Sequence, residues 1–320
     1  MITVNREEAA KLLLEQDKIL ILMHKSPDGD TVGCGYALAM ALRKLGKQAQ
    51  PVCSDRIPDS YRYFTDFVPE QVFEPQFIVS TDVADTKLLG DKTGVYRDRI
   101  DLSIDHHGSN RAFAGYGVTD ASAPACAQLM PDIIEAMGVE IDPQIANALF
   151  TGLTTDTGCF CYTSVTADTH RTAAYLMDKG ADAGMINRLM FETKSRARIE
   201  LEKLAMASLR FYCGGRLALI CITTEMMQQS GAQDNDTESI PSIPRQIEGV
   251  QVAVTVKQKG EKDYKISLRT TDEIDASAVC AALGGGGHRA AAGCSFSGSL
   301  EEAVETIVGL SAKAIESAAV

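Results

Sequence analysis

Residues 19–30 read ILILMHKSPDGD, and this stretch decides the fold of the first half of the chain. Its leading apolar residues have the length and composition of a buried strand, and the proline and glycine that follow predict a turn. His24, Asp28 and Asp30 therefore leave one strand end together and can point at a common centre. A buried strand that ends in an imidazole and two carboxylates is costly unless those groups bind a ligand. The stretch therefore predicts a site for a pair of divalent cations, which many hydrolases use.

Short apolar strands and helices alternate from this stretch as far as residue 153. Strands are predicted over 18–23, 49–53, 76–81 and 100–104, and helices over 31–45, 122–138 and 142–153. This alternation predicts an α/β fold with a doubly wound, mainly parallel sheet. Ligands of such sheets bind beyond the carboxyl ends of the strands, which is where the polar residues of the first stretch lie.

The second half of the chain predicts a smaller α/β domain. We assign residues 1–185 to the first domain, 186–208 to a helical linker and 209–320 to the second domain. Strands of the second domain are predicted over 217–222, 250–257 and 264–269, and a glycine run that ends in a histidine and an arginine covers 284–289. A chain of 320 residues is long enough for two such domains.

Further metal-capable side chains follow other predicted elements. Asp82 follows the strand 76–81, whereas Asp105, His106 and His107 follow the strand 100–104. Asp156 is expected in a turn after the helix that ends at residue 153. These ligands are carboxylates and imidazoles without paired thiolates. Such a set suits manganese or magnesium, with cobalt or iron as alternatives, better than structural zinc. We interpret Cys159 and Cys161 as alternating small residues of a strand.

The bulk composition excludes some classes of protein. The formal charge of −12 argues against a broad basic face that coats long duplex nucleic acid. The polar start of the chain does not resemble a signal peptide, and no apolar run reaches the length of a membrane span. Nine irregularly placed cysteines do not predict a disulfide framework. We therefore expect a reduced, cytoplasmic protein without a membrane partner.

Taken together, these motifs resemble those of the DHH/DHHA1 phosphoesterase family. The resemblance rests on residues 24–30, on Asp82, on the triplet 105–107, on Asp156 and on a C-terminal module with SLR at 267–269 and GGGGHRAAAG at 284–293. It extends over nearly the whole chain. The chain length and the two-module layout are most similar to those members that hydrolyse short oligoribonucleotides and 3'-phosphoadenosine 5'-phosphate. The resemblance therefore implies a metal-dependent phosphoesterase, an exonuclease acting on short RNA.

The resemblance also implies a role for each candidate residue. His24 and Asp28 would hold one manganese ion, Asp30, His106 and Asp156 would hold the other, and Asp82 would bridge the two. Asp105 would orient His106 from behind, and His107 would contact the scissile phosphate instead of a metal. The hypothesis for the reaction is attack on the phosphate by a metal-activated water, with His107 stabilising the developing charge.

The C-terminal module is expected to bind the substrate. The residues implied are Arg269, Gly286, Gly287, His288 and Arg289, because glycines allow main-chain amides to approach an anion and the side chains add donors. Short RNA or a small nucleotide would fit such a module.

Three questions stay open at this stage. Linear or cyclic dinucleotides are alternative substrates for the same chemistry. A catalytically inert nucleotide-binding regulator is an alternative function, although such a protein would not need the full set of ligands. A monomer and a homodimer are equally compatible with the sequence.

Overall fold

A computed structural model describes residues 1–237, 240–271 and 273–318. The chain divides into two compact units, unit 1 from Met1 to Thr193 and unit 2 from Lys194 to Val320. This division falls inside the range 186–208, which the sequence predicts as a linker. In the described parts of the chain, none of the helices combines the length and the apolar composition that a bilayer-spanning segment needs.

Unit 1 contains the elements predicted for the first half of the chain. Its strands are β1 (Ile2–Thr3), β2 (Ile19–Leu22), β3 (Ala49–Val52), β4 (Phe77–Thr81), β5 (Leu102–Asp105) and β6 (Tyr116–Thr119). Its helices are α1 (Arg6–Glu15), α2 (Gly29–Lys44), α3 (Arg62–Thr65), α4 (Gly90–Thr93), α5 (Met130–Ala136), α6 (Pro143–Asp156), α7 (Ala167–Asp178) and α8 (Ala183–Asn187). Among the described residues, these six strands form one parallel sheet in the order β1-β6-β5-β4-β2-β3. The predicted parallel α/β fold is confirmed.

Strand β2 shows why the apolar run at residue 19 is continuous. All four of its residues are buried. Ile19 and Ile21 pack in a core that also contains residues of α1, α2 and α6. Leu20 and Leu22 pack in a second core on the opposite face of the sheet. A parallel strand that is covered on both faces needs apolar side chains at every position.

The order of the strands places a crevice beside β2. Strand β3 pairs with one side of β2 and β4 pairs with the other, so the chain reverses its direction of travel across the sheet between β3 and β4. In open parallel sheets the ligand site lies at such a switch point, beyond the carboxyl ends of the strands. The segments that follow β2 and β4 carry His24 and Asp82.

The turn after β2 also starts helix α2. Asp28 is the N-cap, and its Oδ1 accepts hydrogen bonds from the main-chain nitrogens of Asp30 and Thr31, each at 3.1 Å. A carboxylate in this position satisfies the first free N–H groups of a helix. The helix therefore begins at Gly29, two residues before the predicted start. Gly29 and Asp30, which were predicted to belong to the turn, are the first two residues of the helix.

Helices α2 and α6 approach each other closely at a glycine. A Cβ atom built on Gly33 would overlap the carbonyl oxygen of Ala148 and would lie 3.2 Å from the main-chain nitrogen of Gly152. The main chains of the two helices are therefore in contact at this position, where only a hydrogen atom fits. Because α6 ends at Asp156, this contact fixes where that carboxylate lies relative to the start of α2.

Three local predictions in unit 1 are wrong. The helix predicted over 122–138 is a 3₁₀ turn at Cys126–Gln128 followed by α5, since the residue before Pro124 disfavours helical backbone. Asp156 is the last residue of α6 instead of part of a following turn. Cys159 lies in a turn with a positive φ of 56°, not in a strand, so its side chain does not alternate with that of Cys161.

Unit 2 is built on a second sheet. Its strands are β7 (Arg210–Tyr212), β8 (Leu217–Ile222), β9 (Val252–Gln258), β10 (Asp263–Thr270), β11 (Gly286–His288) and β12 (Ala291–Ser297). Its helices are α9 (Arg196–Ala207), α10 (Thr224–Ser230), α11 (Ala276–Ala281) and α12 (Leu300–Ala318). Within the described residues the order is β11-β12-β10-β9-β8-β7, in which only the β8–β9 pair is parallel. The three predicted strands correspond to β8, β9 and β10.

Helix α9 belongs to unit 2 although its residues lie in the predicted linker. Leu201 and Ala205 are buried in one cluster with Ile220 and Ile222 of β8. The apolar spacing of i and i+4 on α9 gives the helix one face that must be covered, and β8 covers it. The predicted linker therefore contains a packed element of the second unit.

Candidate metal centre

The candidate metal ligands of unit 1 come from strands that are neighbours in the sheet. His24 follows β2, Asp82 follows β4, and His106 follows β5, and these strands lie side by side in the order β5-β4-β2. Parallel strands end at the same edge of a sheet, so residues that follow them converge. The structure brings together all the ligand candidates named from the sequence.

Asp82 lies at the centre of this cluster. Its side chain is only 2% exposed. Its Oδ2 is 3.5 Å from His24 Nε2, and its Oδ1 is 3.4 Å from His106 Nε2 and 3.5 Å from His107 Nδ1. The main chain of Asp82 has a positive φ of 58°, a left-handed conformation that costs roughly 1 kcal/mol or more in a residue with a side chain. Backbone strain of this kind is concentrated at functional sites.

The remaining ligand candidates form two groups, one on each side of Asp82. On the first side, Asp28 Oδ2 lies 3.5 Å from His24 Nε2. On the second side, His106 Nε2 lies 3.4 Å from Asp156 Oδ2 and 3.9 Å from Asp30 Oδ2. Three sets of residues each offer ligand atoms within 4.8 Å of one another, namely His24, Asp28 and Asp82; Asp30, His106 and Asp156; and Asp82, His106 and His107. These groups could hold metal ions.

Both central histidines present the same ring nitrogen to the carboxylates. His24 Nδ1 lies 2.8 Å from the carbonyl oxygen of Lys25, and His106 Nδ1 lies 3.1 Å from that of Ala123. A carbonyl can only accept, so each Nδ1 carries the hydrogen and donates it. This leaves Nε2 of each ring directed at Asp82. Histidines that bind metals are held by main-chain or carboxylate acceptors in this way.

The Asp30 side chain has no exposed surface. Its Oδ2 accepts from the main-chain nitrogen of Cys126 at 2.6 Å, and its Oδ1 accepts from that of Ala127 at 2.9 Å. The thiol of Cys34 lies 3.3 Å from Oδ1. These donors hold the carboxylate in one orientation. The 3₁₀ turn at Cys126–Gln128 therefore takes part in the site, although it offers no side-chain ligand.

Burial disfavours the charged form of both histidine rings, but their carboxylate neighbours outweigh burial. Hydrogen bonds with Asp28 and Asp82 raise the pKa of His24 to about 11. The nearby carboxylates of Asp156 and Asp82 raise the pKa of His106 to about 12. Without a cation both rings are therefore protonated at neutral pH, and protons take the place of metal charge.

The carboxylates share this need for positive charge. Burial raises the pKa of Asp30, and the nearby carboxylates of Asp82 and Asp156 raise it further. Burial also raises the pKa of Asp156, to about 6, against the opposing effect of the nearby His106 ring. Burial works in the same direction on Asp82, but the two histidines lower the pKa of Asp82 well below its usual value. Positive charge within the cluster therefore favours the ionised forms of Asp30 and Asp156.

Two atoms of the cluster test whether a metal fits. Among the described side chains, Asp82 Oδ1 and His106 Nε2 are buried and have no hydrogen-bond partner. An unpaired buried polar atom costs about 1–3 kcal/mol, and a coordination bond would remove this cost. Oxygen and imidazole donors suit manganese and magnesium ions. The residues present therefore fit a divalent metal site.

We predict that Mn²⁺ stabilises the protein against heat. A ligand at about a hundred times its Kd adds about 2.7 kcal/mol, which corresponds to roughly 5–10 °C for a domain of this size. Thermal unfolding should be followed with and without Mn²⁺, and chelation should reverse the shift. An Asp156→Asn variant should show a smaller shift. An unchanged melting temperature at saturating Mn²⁺ would contradict the site.

We also predict that metal binding releases protons. Both imidazoles must lose a proton to bind a cation through Nε2, and their pKa values lie far above neutrality. The apparent affinity should therefore rise with pH, by about tenfold per unit for each proton released. Calorimetric titration in two buffers that differ in ionisation enthalpy measures this number. Heats that do not depend on the buffer would contradict the protonation states.

Asp105 holds a different histidine from the one expected. We expected it to orient the ring of His106, but its Oδ1 lies 2.8 Å from Nδ1 of His107. Asp105 contacts His106 through the main-chain N–H of that residue, which donates to the same oxygen, also at 2.8 Å. The ring of His106 is held by the carbonyl of Ala123 instead. The reason is geometric, since the two ring nitrogens of His106 face the carbonyl of Ala123 and the carboxylate of Asp82. The hydrogen bond with Asp105 raises the pKa of His107.

The substrate residues expected in unit 2 lie on the two strands that flank β12 and in the turn after β11. The run Gly286–His288 is the edge strand β11, and it pairs with β12. Both Arg269 of β10 and His288 are in register with Ala291 of β12 and therefore lie on the same face of the sheet. Arg269 is half-buried, whereas Gly286, Gly287, His288 and Arg289 are exposed.

The sequence reasoning missed the groups that fix the ligands in place. The carbonyl of Ala123 and the N–H groups of Cys126 and Ala127 are main-chain atoms, which every residue carries. No residue type therefore marks them. Asn110, whose Nδ2 lies 2.6 Å from Asp105 Oδ2, was also missed. Its only signal in the sequence is its position shortly after the strand end.

Comparisons with known proteins identify the family of the chain. The N-terminal domain of the DHH family matches residues 18–153, and the DHHA1 domain matches residues 218–316. The bifunctional oligoribonuclease and PAP phosphatase NrnA of Thermus thermophilus is 32% identical over 296 residues, which cover 91% of this chain and 88% of that protein. The cyclic-di-AMP phosphodiesterase GdpP of Geobacillus thermodenitrificans is 23% identical over 87% of this chain and 44% of its own length.

Solved structures give the same result for the fold. The crystal structure of an exopolyphosphatase-related protein from Bacteroides fragilis matches with a TM-score of 0.85 and 26% identity over 95% of each chain. RecJ from Thermus thermophilus in complex with Mn²⁺ matches with a TM-score of 0.52 and 16% identity over 98% of this chain and 54% of RecJ, a likeness of fold alone. By its family matches and its full-length similarity to NrnA, this chain belongs to the DHH family and carries a C-terminal DHHA1 domain.

Proposed function

We propose that this protein is a dinuclear metal-dependent phosphoesterase that hydrolyses short oligoribonucleotides and 3'-phosphoadenosine 5'-phosphate. The observation that carries the proposal is the position of Asp82, whose two oxygens face the imidazoles of His24 and His106 on opposite sides. A carboxylate so placed can bridge two cations. Support for the substrate comes from the relatives named NrnA, one of which covers nearly the whole chain.

We assign the metal ligands as His24, Asp28 and Asp82 for one ion, and Asp30, His106, Asp156 and the shared Asp82 for the other. Mn²⁺ is the favoured ion, with Mg²⁺ or Co²⁺ as alternatives. When bound, such a pair supplies an acidified water and neutralises the oxygens of the phosphate. The protein side chains then have two further tasks, which are to hold the ligands in place and to donate to the phosphate.

His107 is the residue that we propose contacts the phosphate. Its Nδ1–H donates to Asp105, and this hydrogen bond raises the pKa of His107 and favours the protonated ring. The protonated ring directs its remaining N–H, on Nε2, away from Asp105. That N–H can donate to a phosphoryl oxygen while negative charge develops there.

We predict that His107→Gln lowers kcat by about 10²–10³-fold, because one donor to the developing charge is lost. The Mn²⁺-induced thermal shift should persist in this variant, since we do not assign His107 as a metal ligand. Steady-state kinetics on a dinucleotide, together with melting curves, measure both effects. A variant that keeps wild-type kcat, or that loses the metal shift, would contradict the assignment.

In unit 2, we propose that Arg269, His288 and Arg289 bind the substrate together with the main chain of Gly286 and Gly287. The two glycines carry no Cβ atom, so an anion can approach the main-chain amides of β11. The side chains of Arg269 and His288 share one face of the sheet and add donors to it. Hydrogen-bond donors on this face suit a nucleotide phosphate.

The overall charge narrows the substrate class. With a net charge of −12, the surface gains little from the many phosphates of a long duplex. We therefore propose short RNA or small nucleotides as substrates, to the exclusion of long duplex nucleic acid. We also propose that the protein acts in the cytoplasm, since all nine cysteines are free thiols in the structure.

A substrate panel tests the proposal. A dinucleotide, a short RNA oligomer, 3'-phosphoadenosine 5'-phosphate, cyclic di-AMP and pyrophosphate are each incubated with the protein and Mn²⁺, and product is quantified. The short RNA and the bisphosphate should be hydrolysed fastest. Faster turnover of pyrophosphate than of any nucleotide would overturn the proposal.

Cyclic or linear dinucleotides are the second candidate substrates. They are favoured by the similarity to cyclic-di-AMP phosphodiesterases, although this chain spans less than half of those proteins. The same panel ranks them. A catalytically inert nucleotide-binding regulator is the remaining alternative, and it would bind members of the panel without any Mn²⁺-dependent phosphate release.

A further inference from the structure

Asn110 lies in the loop after β5 and makes hydrogen bonds in two directions. Its Nδ2 donates to Asp105 Oδ2 at 2.6 Å and to the carbonyl oxygen of Val83 at 3.3 Å. Its Oδ1 accepts from the main-chain nitrogen of Ala112 at 2.8 Å. The amide nitrogen therefore faces two acceptors and the amide oxygen faces a donor, which fixes the orientation of the side chain.

The first of these hydrogen bonds is made to the carboxylate of Asp105, which is completely buried. Its Oδ1 is taken by the main-chain nitrogens of His106 and His107 and by the ring of His107. Its Oδ2 is taken by Asn110. Without Asn110, this oxygen would be charged, buried and without its donor, and the carboxylate would gain by rotating toward another group. Such a rotation would release the ring of His107.

The second hydrogen bond is made to Val83, in the segment after β4. Val83 is the neighbour of Asp82, whose left-handed backbone needs support from its surroundings. Three contacts from β5 and its loop supply it: the Asp82 N–H donates to the carbonyl of Ile104, Arg111 N–H donates to that of Ala84, and Asn110 donates to that of Val83. Asn110 is the member of this set that also holds a carboxylate.

We propose that Asn110 is a positioning residue. It holds the Asp105 carboxylate in its hydrogen bond with His107, and it supports the strained backbone of Asp82 through the carbonyl of the next residue, Val83. One side-chain amide thus ties the ends of β4 and β5 together behind the candidate metal centre. The importance of this role for turnover rests on the proposed function. The hydrogen bonding itself is a property of the protein alone.

The test compares Asn110→Asp with wild-type protein. The substitution keeps the size and the acceptor for Ala112 but replaces the donor by a carboxylate facing Asp105. We expect kcat on a dinucleotide to fall by about 10–100-fold, with KM changed by less than about threefold, as for other residues that support metal and phosphate ligands. Asn110→Ala removes the donor without adding charge and should lose activity by a similar factor.

A second readout needs neither substrate nor metal. The proton shared between His107 Nδ1 and Asp105 should give a downfield resonance in the NMR spectrum of the metal-free protein, which His107→Gln assigns by its absence. This resonance should broaden or disappear in both Asn110 variants. The circular dichroism spectra of both variants should match that of the wild-type protein. Persistence of the resonance in both variants, or kcat within threefold of wild type, would overturn the positioning role.

Asn5→Asp is the matched control. Asn5 caps α1 by accepting from the main-chain nitrogen of Glu8 at 2.8 Å, a bond that a carboxylate makes equally well. The control should keep both the resonance and the activity, and a loss of either in Asn5→Asp would mean that the Asn110 effects are unspecific and would refute the proposal. If even the wild-type protein hydrolyses nothing in the panel, the proposed function is wrong, and the NMR readout alone decides the role of Asn110.

Discussion

Asp82→Asn should lower Mn²⁺-dependent hydrolysis by about 10²–10³-fold or more, the largest loss expected from any isosteric change in the protein. Among the described residues, the Asp82 carboxylate is the candidate ligand that faces both His24 and His106. An amide has one acceptor oxygen and no charge, so it cannot serve both sides. Asparagine tolerates the left-handed backbone of this position, so the variant should fold.

The experiment combines kinetics with metal-dependent melting. We expect Asp82→Asn to lose both turnover and most of the Mn²⁺-induced thermal shift, because each proposed ion loses a ligand. Asp98→Ala, which removes an exposed carboxylate of the same unit, is the control and should retain both. Hydrolysis within tenfold of the wild-type rate in Asp82→Asn would show that Asp82 bridges nothing.

Gly33→Ala should cost about 3 kcal/mol of unfolding free energy, the largest stability effect that we expect from one methyl group. The added Cβ would overlap the carbonyl oxygen of Ala148, a main-chain atom that cannot move without shifting α6. A shift of α6 would carry Asp156 with it, since that residue ends the helix. The variant should therefore also bind Mn²⁺ more weakly.

A second glycine provides the comparison for this variant. Gly309 lies in α12 with nothing within 4 Å of the place where a Cβ would be. Gly309→Ala should stabilise the protein by about 0.5–1 kcal/mol through helix propensity alone. Denaturant unfolding of both variants measures the two effects. Equal stabilities for Gly33→Ala and the wild-type protein would mean that the helices can separate without cost.

The sequence predicted those parts of the site that depend on side-chain identity and on strand ends. His24, Asp82 and His106 follow buried parallel strands, and this pattern was enough to expect convergence. The position of Asp156 was less well predicted, because α6 continues to that residue where a turn was expected. Helix ends depend on local capping that a short polar sequence does not specify.

Other features could not be predicted because main-chain geometry produces them. The ring of His106 is held by the carbonyl of Ala123, and its partner could be identified only from coordinates. The interpretation of Cys159 as a strand residue failed for a related reason, since its left-handed backbone is imposed by the turn after α6. Strands β11 and β12 were missed because glycine and alanine are poor strand formers. The pairing of β12 with β10, and of β11 with β12, outweighs that preference.

The adjacency of β5, β4 and β2 bears on how the spacing of the candidate ligands that follow these strands is conserved in evolution. Neighbouring strands are separated by roughly 4.8 Å, a distance set by main-chain hydrogen bonds and independent of residue type. The pairing of the strands thus sets the distance between the groups that follow them at this edge of the sheet. Substitutions in the surrounding sequence can change which carboxylates and imidazoles follow the strands. The distance between these positions is preserved as long as the strands stay paired.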